Sequence, residues 1–318
     1  MKFRVISDLH IDLNGFDSIS ISDDIFTVIC GDTSGSPSLT RDWIMKNIKC
    51  GVGVSGNHLV YNKENKTIQE LRDELAKYFP KNSDFTYLDT ECDVFSKTVD
   101  NVMFVGSCMY SDMKLSKYYD TDVRHNMRMS ERIMNDYRYG IVKKYYPCGV
   151  DNAPSYIKMT AENYIQWFEN GMSKVTSLVE ENERSDVPKD IVLVTHFPLL
   201  REVVEQSFYV EDDNFMSYGS SMKDWFNAHP SVKCHCCGHT HDMHKDYRHF
   251  YINLDHGKIL VVNNSMGYLS RCHDMTFNPN TFVNTDDWTV ETIPESEDVK
   301  NDKNHRYDIN LGRLAMFV

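Results

Sequence analysis

Short apolar runs recur along the chain, and each of them ends in a polar or glycine-containing tip. The runs are rich in β-branched residues and cover positions 3–6, 25–30, 52–54, 102–105, 191–195, 232–236 and 258–262. Runs of this length, bounded by turn residues, are typical of buried strands. The pattern therefore predicts a sheet-forming chain that presents polar residues at the ends of its strands.

Two longer segments instead place apolar residues three and four positions apart, as one face of a helix does. They are residues 66–79, which end at Pro80, and residues 160–182, which follow Thr160 as the N-cap. Proline stops a helix because it has no backbone N–H, and threonine is a favoured N-cap. The alternation of strands and helices favours an α/β architecture.

Composition limits the class of protein further. The chain has 318 residues, of which 41% are hydrophobic and 25% are charged, as in an ordinary soluble globular protein. It has no apolar run near the ~20 residues that a membrane span needs, and no cleavable signal pattern. Its nine cysteines have no disulfide-scaffold rhythm. We therefore predict a reduced, cytoplasmic protein without a membrane partner.

Charge is distributed unevenly. The formal net charge is −13, which makes the chain as a whole a poor binder of the nucleic-acid backbone. Residues 110–147, in contrast, hold eight Lys and Arg against five Asp and Glu, interleaved with tyrosines. This basic-aromatic segment is either a solvated helical excursion or a cap over a site, with arginine holding a phosphate and tyrosine stacking on a base. The sequence leaves both interpretations open.

Acidic and imidazole side chains gather at the predicted strand ends. Five blocks follow five strands, in the order Asp8-x-His10, Gly31-Asp32, Gly56-Asn57-His58, His196 and Gly238-His239-Thr240-His241. Carboxylates, amide oxygens and imidazoles are all ligands of divalent metals. Each block alone has an ordinary structural explanation, such as a turn cap or a solvated histidine, but the ordered set predicts a metal site.

These five blocks resemble the pattern of the calcineurin-like metallophosphoesterase superfamily, and they span residues 8–241. The context is similar to a subgroup of bacterial and phage phosphoesterases, through "GNHLVYN", "FVGS" followed by "MNDYR", and a late "NNSMGY". Two positions depart from the family pattern, because Asp12 and Leu59 stand where the family usually has glutamate. Both departures concern support of the ligands rather than the ligands themselves.

The resemblance implies a fold and a centre of two divalent metal ions. The fold is a four-layer α/β sandwich of two mixed sheets flanked by helices, and a doubly wound single sheet is the alternative. Seven ligands would hold the ions: Asp8, His10 and His241 on one, Asn57, His196 and His239 on the other, and Asp32 bridging both. Mn²⁺ is the expected metal, and Fe, Zn²⁺, Co²⁺ or Ni²⁺ suit the same mixed donor set.

The implied activity is hydrolysis of a phosphate monoester or diester by a hydroxide held between the two ions. His58 would be catalytic, beside the leaving oxygen. The partner is a phosphate-ester substrate, with nucleotides or nucleic-acid ends favoured if the basic-aromatic segment is a cap. A nuclease or a cyclic-nucleotide phosphodiesterase is the alternative enzyme, and a non-catalytic binding module is the alternative class. The oligomeric state stays open.

Two further expectations concern organisation. We see no linker that divides the chain, so residues 1–318 are expected to form one domain with an inserted, cap-like segment at about 110–185. The run Cys234-His235-Cys236-Cys237 invites a zinc interpretation, but no second cysteine pair stands at finger spacing. Buried strand thiols are the favoured interpretation.

Overall fold

The computed structural model describes residues 1–21, 24–61, 66–115, 122–144, 155–207, 215–241, 243, 247–269 and 277–293. Within these ranges the chain forms two six-stranded mixed sheets and one two-stranded sheet. The four-layer prediction is confirmed and the alternative of a doubly wound single sheet is wrong, because the parallel strands divide between two sheets that face each other.

The first sheet has the strand order β14-β13-β1-β2-β3-β4. Its strands are β1 (Lys2–Ile6), β2 (Phe26–Ile29), β3 (Gly51–Gly53), β4 (Phe85–Tyr87), β13 (Thr281–Asn284) and β14 (Thr289–Thr292). Strands β1 to β4 run parallel to one another. On the other side of β1, β13 pairs antiparallel with β1, and β14 pairs antiparallel with β13. The carboxyl ends of β1, β2 and β3 therefore lie along one edge.

The second sheet has the order β11-β12-β10-β9-β6-β5. Its strands are β5 (Ser96–Val99), β6 (Val102–Ser107), β9 (Asp190–Thr195), β10 (Val232–Cys237), β11 (His249–Leu254) and β12 (Gly257–Asn263). The four central strands are parallel, and the two edge strands are antiparallel to their neighbours. Between β6 and β9 lies a long excursion that contains the two-stranded sheet of β7 (Ile141–Lys144) and β8 (Ser155–Lys158).

Eight α-helices surround the sheets in the described residues. They are α1 (Ile11–Asn14), α2 (Pro37–Asn47), α3 (Ile68–Tyr78), α4 (Val123–Ile133), α5 (Asp136–Tyr139), α6 (Ala161–Glu183), α7 (Arg201–Glu205) and α8 (Lys223–Ala228). A 3-10 turn spans Asn57–Tyr61. None of the helices formed by the described residues is both long enough and apolar enough to cross a membrane.

Local sequence fixes where the two predicted helices begin. Thr67 caps α3 reciprocally with Glu70, whose carboxylate accepts the Thr67 backbone N–H at 2.9 Å. Thr160 is the N-cap of α6, as predicted, and its backbone N–H donates to the Asn163 side chain at 2.9 Å. Each arrangement satisfies a polar group that the helix end itself leaves unpaired.

Three apolar clusters hold the layers together. The cluster between the sheets joins residues such as Val28 of β2 to Val194 of β9, and the rings of Phe3 and Phe104 meet edge to face at 5.4 Å. A second cluster packs α6, through Phe168 and other residues, on the outer face of the second sheet. A third packs α2 and α3 on the outer face of the first sheet. These apolar clusters hold the two sheets together, so that the carboxyl ends of their parallel strands keep a fixed relative position.

Candidate metal centre

Eight buried polar side chains converge where five parallel strands end. Each is at most 8% exposed, and they are Asp8 and His10 after β1, Asp32 after β2, Asn57 and His58 after β3, His196 after β9, and His239 and His241 after β10. The structure thus brings together every residue that the sequence pattern proposed for the site. Burial of so many polar groups is unfavourable unless they are paired or bind an ion.

The backbone at the strand ends turns sharply. Asp8, His10, Asp32 and His239 all have positive φ, between 42° and 66°. This left-handed region is uncommon for residues other than glycine, and such strain clusters at functional sites. It directs the side chains off the ends of the strands. At Gly56, an added Cβ would lie 1.9 Å from Asp32 Oδ1, so only glycine lets this turn approach so closely.

Asp8, His10 and His241 form what we call the first cluster. His241 Nε2 lies 3.0 Å from Asp8 Oδ1, and 3.2 Å from His10 Nε2. The other Asp8 oxygen accepts hydrogen bonds from Ser265 Oγ at 2.7 Å and from the His239 backbone N–H at 3.1 Å. Asp8 Oδ1 and the Nε2 atoms of His10 and His241 therefore lie close together. The second Asp8 oxygen is fixed by its hydrogen bonds to Ser265 and to the His239 backbone.

We call Asn57, His196 and His239 the second cluster; the rings of His196 and His239 lie 5.1 Å apart between their centroids. His196 Nδ1 lies 2.9 Å from the carbonyl oxygen of Cys30, which only accepts hydrogen bonds, so Nδ1 carries the proton. The opposite nitrogen, Nε2, faces Asn57 Oδ1 at 2.9 Å. In a neutral imidazole these two atoms are both acceptors, and at this distance a proton or a metal cation must lie between them.

Asp32 lies between the clusters. One of its oxygens accepts the backbone N–H of His58 at 3.0 Å, and the other lies 3.3 Å from His196 Nε2. Donor atoms of Asp32 fall within 4.8 Å of those of Asp8 and His196, and also of those of His10 and His58. Within the described residues, His239 Nε2 is buried without a hydrogen-bond partner, and Asp32 Oδ2 is buried with only the 3.3 Å contact to His196. Buried ligand atoms with so few hydrogen-bond partners are suited to bind a metal ion.

The titration of Asp8, Asp32, His10 and His239 agrees with that fit, whereas His196 must lose a proton before it can bind an ion. Burial by itself raises the pKa of Asp8 and Asp32, but the neighbouring histidines hold both pKa values below the ordinary aspartate value. Burial lowers the pKa of His10 and His239, which keeps them neutral. Asp32 overcomes the effect of burial on His196 and raises its pKa to about 9. Ionised carboxylates and neutral imidazoles are the forms that bind metals.

His58 stands at the border of the site and contacts two tyrosines. Its Nε2 lies 2.6 Å from the hydroxyl of Tyr268, and its ring centroid is 4.3 Å from that of Tyr61. Tyr268 is half-buried and stacks on His10 at 4.5 Å. The hydroxyl fixes the direction of the His58 imidazole.

Asp136 supports Asn57 from the excursion between β6 and β9. Each of its two carboxylate oxygens accepts a hydrogen bond from Asn57 Nδ2 at 3.1 Å. The hydroxyls of Tyr61 and Tyr164 also donate hydrogen bonds to this carboxylate. Asp136 is fully buried, and burial raises its pKa while these hydrogen bonds oppose the rise. Asp136, Ser265 and Tyr268 were not among the predicted site residues. All three do lie in stretches that resemble the family, Asp136 in "MNDYR" and both Ser265 and Tyr268 in "NNSMGY".

The basic-aromatic segment is partly described, because residues 116–121 and 145–154 lie outside the described ranges. The arginines of α4 and its neighbourhood are exposed: Arg124, Arg128, Arg132 and Arg138. Tyr137 packs inside, whereas Tyr139 is 57% exposed and its ring lies 5.5 Å from that of Tyr61. Tyr137 is therefore part of the core, whereas the ring of Tyr139 contacts Tyr61, which in turn contacts His58.

The cysteine run of β10 has a structural role. Cys234, Cys236 and Cys237 are free thiols and fully buried, which confirms the prediction of strand thiols. His235 lies 3.0 Å from Thr195 Oγ1, and burial lowers its pKa to about 3. Among the described residues, none of the groups that can hold a metal includes this run.

Comparison with known proteins supports the fold. No family model matches the chain, and no curated protein matches it in sequence. The crystal structure of a phosphopantetheinyl hydrolase from Mycobacterium tuberculosis is similar, with a TM-score of 0.59 over 84% of this chain and 89% of that chain. The two are 19% identical in sequence, so the similarity shows a shared fold.

Proposed function

We propose that the chain is a metal-dependent phosphoesterase that hydrolyses a phosphate monoester or diester. The observation that carries the proposal is the convergence of buried acceptors, above all Asn57 Oδ1 and His196 Nε2 at 2.9 Å, at the meeting edge of two sheets. Such an arrangement requires positive charge at its centre. The structural neighbour is a hydrolase of phosphopantetheinyl groups by name, and its shared fold agrees with this class of enzyme.

Two divalent ions are the proposed cofactors. The first cluster would hold one ion and the second cluster the other, with the Asp32 carboxylate bridging them. The donors are imidazole nitrogens and carboxylate or amide oxygens, which suit Mn²⁺ and also Fe, Zn²⁺, Co²⁺ or Ni²⁺. When bound, such ions lower the pKa of a water molecule and neutralise charge on a phosphate group.

The chain's own residues then serve the leaving group and the substrate. His58 is the proposed catalytic residue, because its imidazole stands beside the clusters and is directed by Tyr268. It would donate a proton to the departing oxygen. Its ring nitrogen also lies within 4.8 Å of donor atoms of His10 and Asp32, so metal content must be measured to separate catalysis from coordination.

A direct experiment tests the proposal. The chain is stripped with a chelator and reloaded with Mn²⁺, and its metal content is measured beside hydrolysis of nitrophenyl phosphate and bis(nitrophenyl) phosphate. We expect two ions per chain and hydrolysis that chelation abolishes and reloading restores. A metal-loaded chain that hydrolyses neither ester, or hydrolysis unaffected by chelation, would overturn the proposal.

A nuclease or cyclic-nucleotide phosphodiesterase is the second candidate. The exposed arginines of α4 and the exposed Tyr139 near Tyr61 favour it, because arginine pairs with phosphate and tyrosine stacks on bases. An oligonucleotide, a cyclic nucleotide, a nucleoside monophosphate and a phosphopantetheinyl ester, tested on one metal-loaded preparation, separate the candidates. A non-catalytic module is less well supported, because the complete set of proposed ligands and His58 is present.

A further inference from the structure

The excursion between β6 and β9 carries one residue into the centre that nothing in the ligand pattern requires. Asp136 begins the short helix α5, is fully buried, and lies in the basic-aromatic segment. Its carboxylate receives hydrogen bonds from three side chains: Asn57 Nδ2 and the hydroxyls of Tyr61 and Tyr164. The Tyr164 hydroxyl reaches it from α6, so the excursion supplies both the carboxylate and one of its clamps.

This carboxylate determines which end of the Asn57 amide faces His196. Both oxygens of Asp136 act as acceptors, also for the hydroxyls of Tyr61 and Tyr164, so the NH₂ end of the amide faces Asp136, at 3.1 Å from both oxygens. The amide oxygen is thereby turned toward His196 Nε2. If the amide turned over, its NH₂ end would point into the second cluster, where it can hold no cation.

We propose that Asp136 is a positioning residue for the second cluster, and that the excursion between β6 and β9 is thereby a part of the metal centre. The inference rests on the proposed function, since it assigns Asn57 to a metal ion. Asp136 would act through Asn57, because its oxygens face the Nδ2 end of that amide. Side chains behind a ligand commonly change metal affinity by about 10–100-fold when they are removed.

The experiment compares Asp136→Asn with the parent chain by titrating metal-free protein with Mn²⁺ in a calorimeter. The asparagine amide cannot accept all three hydrogen bonds, so the Asn57 amide loses its fixed direction. We expect the parent to bind two ions and the variant to bind one of them about 10–100-fold more weakly, with the other unchanged. Electron paramagnetic resonance should change from the spectrum of two coupled Mn²⁺ ions to that of an isolated one.

Asp112→Asn is the matched control, because Asp112 is also a buried carboxylate of the basic-aromatic segment, and it accepts the Lys114 backbone N–H at 3.0 Å. If this control binds both ions as the parent does, the loss of Mn²⁺ affinity in Asp136→Asn comes from the metal centre and not from the removal of a buried charge in this segment. Should Asp136→Asn fold poorly, Tyr164→Phe removes one of the hydrogen bonds to the carboxylate. It should weaken the same ion by a smaller factor.

Two results would overturn the inference alone: Asp136→Asn with two ions at parental affinity, or equal losses in Asp136→Asn and Asp112→Asn. A parent chain that binds no metal would overturn the proposed function, and the inference with it. The parent titration therefore separates the two failures.

Discussion

The two clusters of the candidate centre are supported in different ways. The first cluster is held by the sheets themselves, since the loop after β12 hydrogen-bonds to the end of β1, from Met266 N to Ser7 O at 2.9 Å and from Gly267 N to Asp8 O at 3.0 Å. Ser265 of that loop holds Asp8. The second cluster takes the Cys30 carbonyl from a sheet but its carboxylate, Asp136, from the excursion.

The difference separates support that comes from the strand ends from support that comes from the excursion. Strand ends and the loop beside them are fixed by backbone hydrogen bonds and by the apolar clusters between the layers. Support from the excursion depends on side chains of two helices, α5 and α6. We therefore expect the metal of the second cluster to be the more sensitive to changes far along the sequence.

The largest effect is expected at Asp32, which lies between the two clusters. Asp32→Asn removes the charge that bridges them, so metal content should fall to one ion or none. Loss of several kcal/mol of charge stabilisation corresponds to a fall of at least about 10³-fold in kcat/KM. Metal analysis and ester hydrolysis check this, with Asp112→Asn as control. A variant with two tightly bound ions and full activity would contradict the bridging role.

His58 should affect the chemistry and neither cluster. His58→Ala should keep two ions and slow turnover by about 10²–10⁴-fold, the usual contribution of a general acid. The loss should be smaller for nitrophenyl phosphate than for an alkyl phosphate, because a good leaving group needs less protonation. An equal loss on both esters, or loss of an ion, would count against the role.

The variant Ser265→Ala tests how the first cluster is supported, as Asp136→Asn does for the second cluster. Ser265→Ala removes the 2.7 Å hydrogen bond to Asp8, while the His239 backbone N–H still supports that oxygen. We expect about a ten-fold loss of affinity for one ion, at the lower end of such effects. Ser111→Ala, at another buried serine, is the control. If Ser265→Ala and Asp136→Asn weakened the same ion, the division into two clusters would be wrong.

The smallest effect, and the most selective, is expected from the exposed arginines of α4. Arg124, Arg128 and Arg132 are changed singly to alanine, and kcat/KM is compared for nucleotides and nitrophenyl phosphate. A charge-assisted hydrogen bond contributes about 1.5–3 kcal/mol, so at least one variant should lose about ten-fold on nucleotides alone. Arg184→Ala, at an exposed arginine that follows α6, is the control. Parental rates in all three variants would leave the segment as a solvated excursion.

Local pattern was enough to find most of the parallel strands, the helices α3 and α6 and the strand-end blocks, but it missed the parallel strand β4 and the helices α2 and α4. Strands such as β5 and β14 were not predicted, because edge strands are half-exposed and carry polar residues that hide the apolar signal. The contacts of Asp136 with Asn57 and of Tyr268 with His58 join residues 79 and 210 positions apart. No short-range pattern encodes such pairs. Only the packing of the sheets and the excursion reveals them.

The positive φ values of Asp8, His10, Asp32 and His239 bear on how such a centre survives mutation. Glycine adopts this conformation without strain, whereas residues with side chains do so at a cost of order 1–3 kcal/mol. A library selected only for heat resistance should therefore gather glycine at these four positions and become inert. Robustness and chemistry are in conflict at the same four backbone positions.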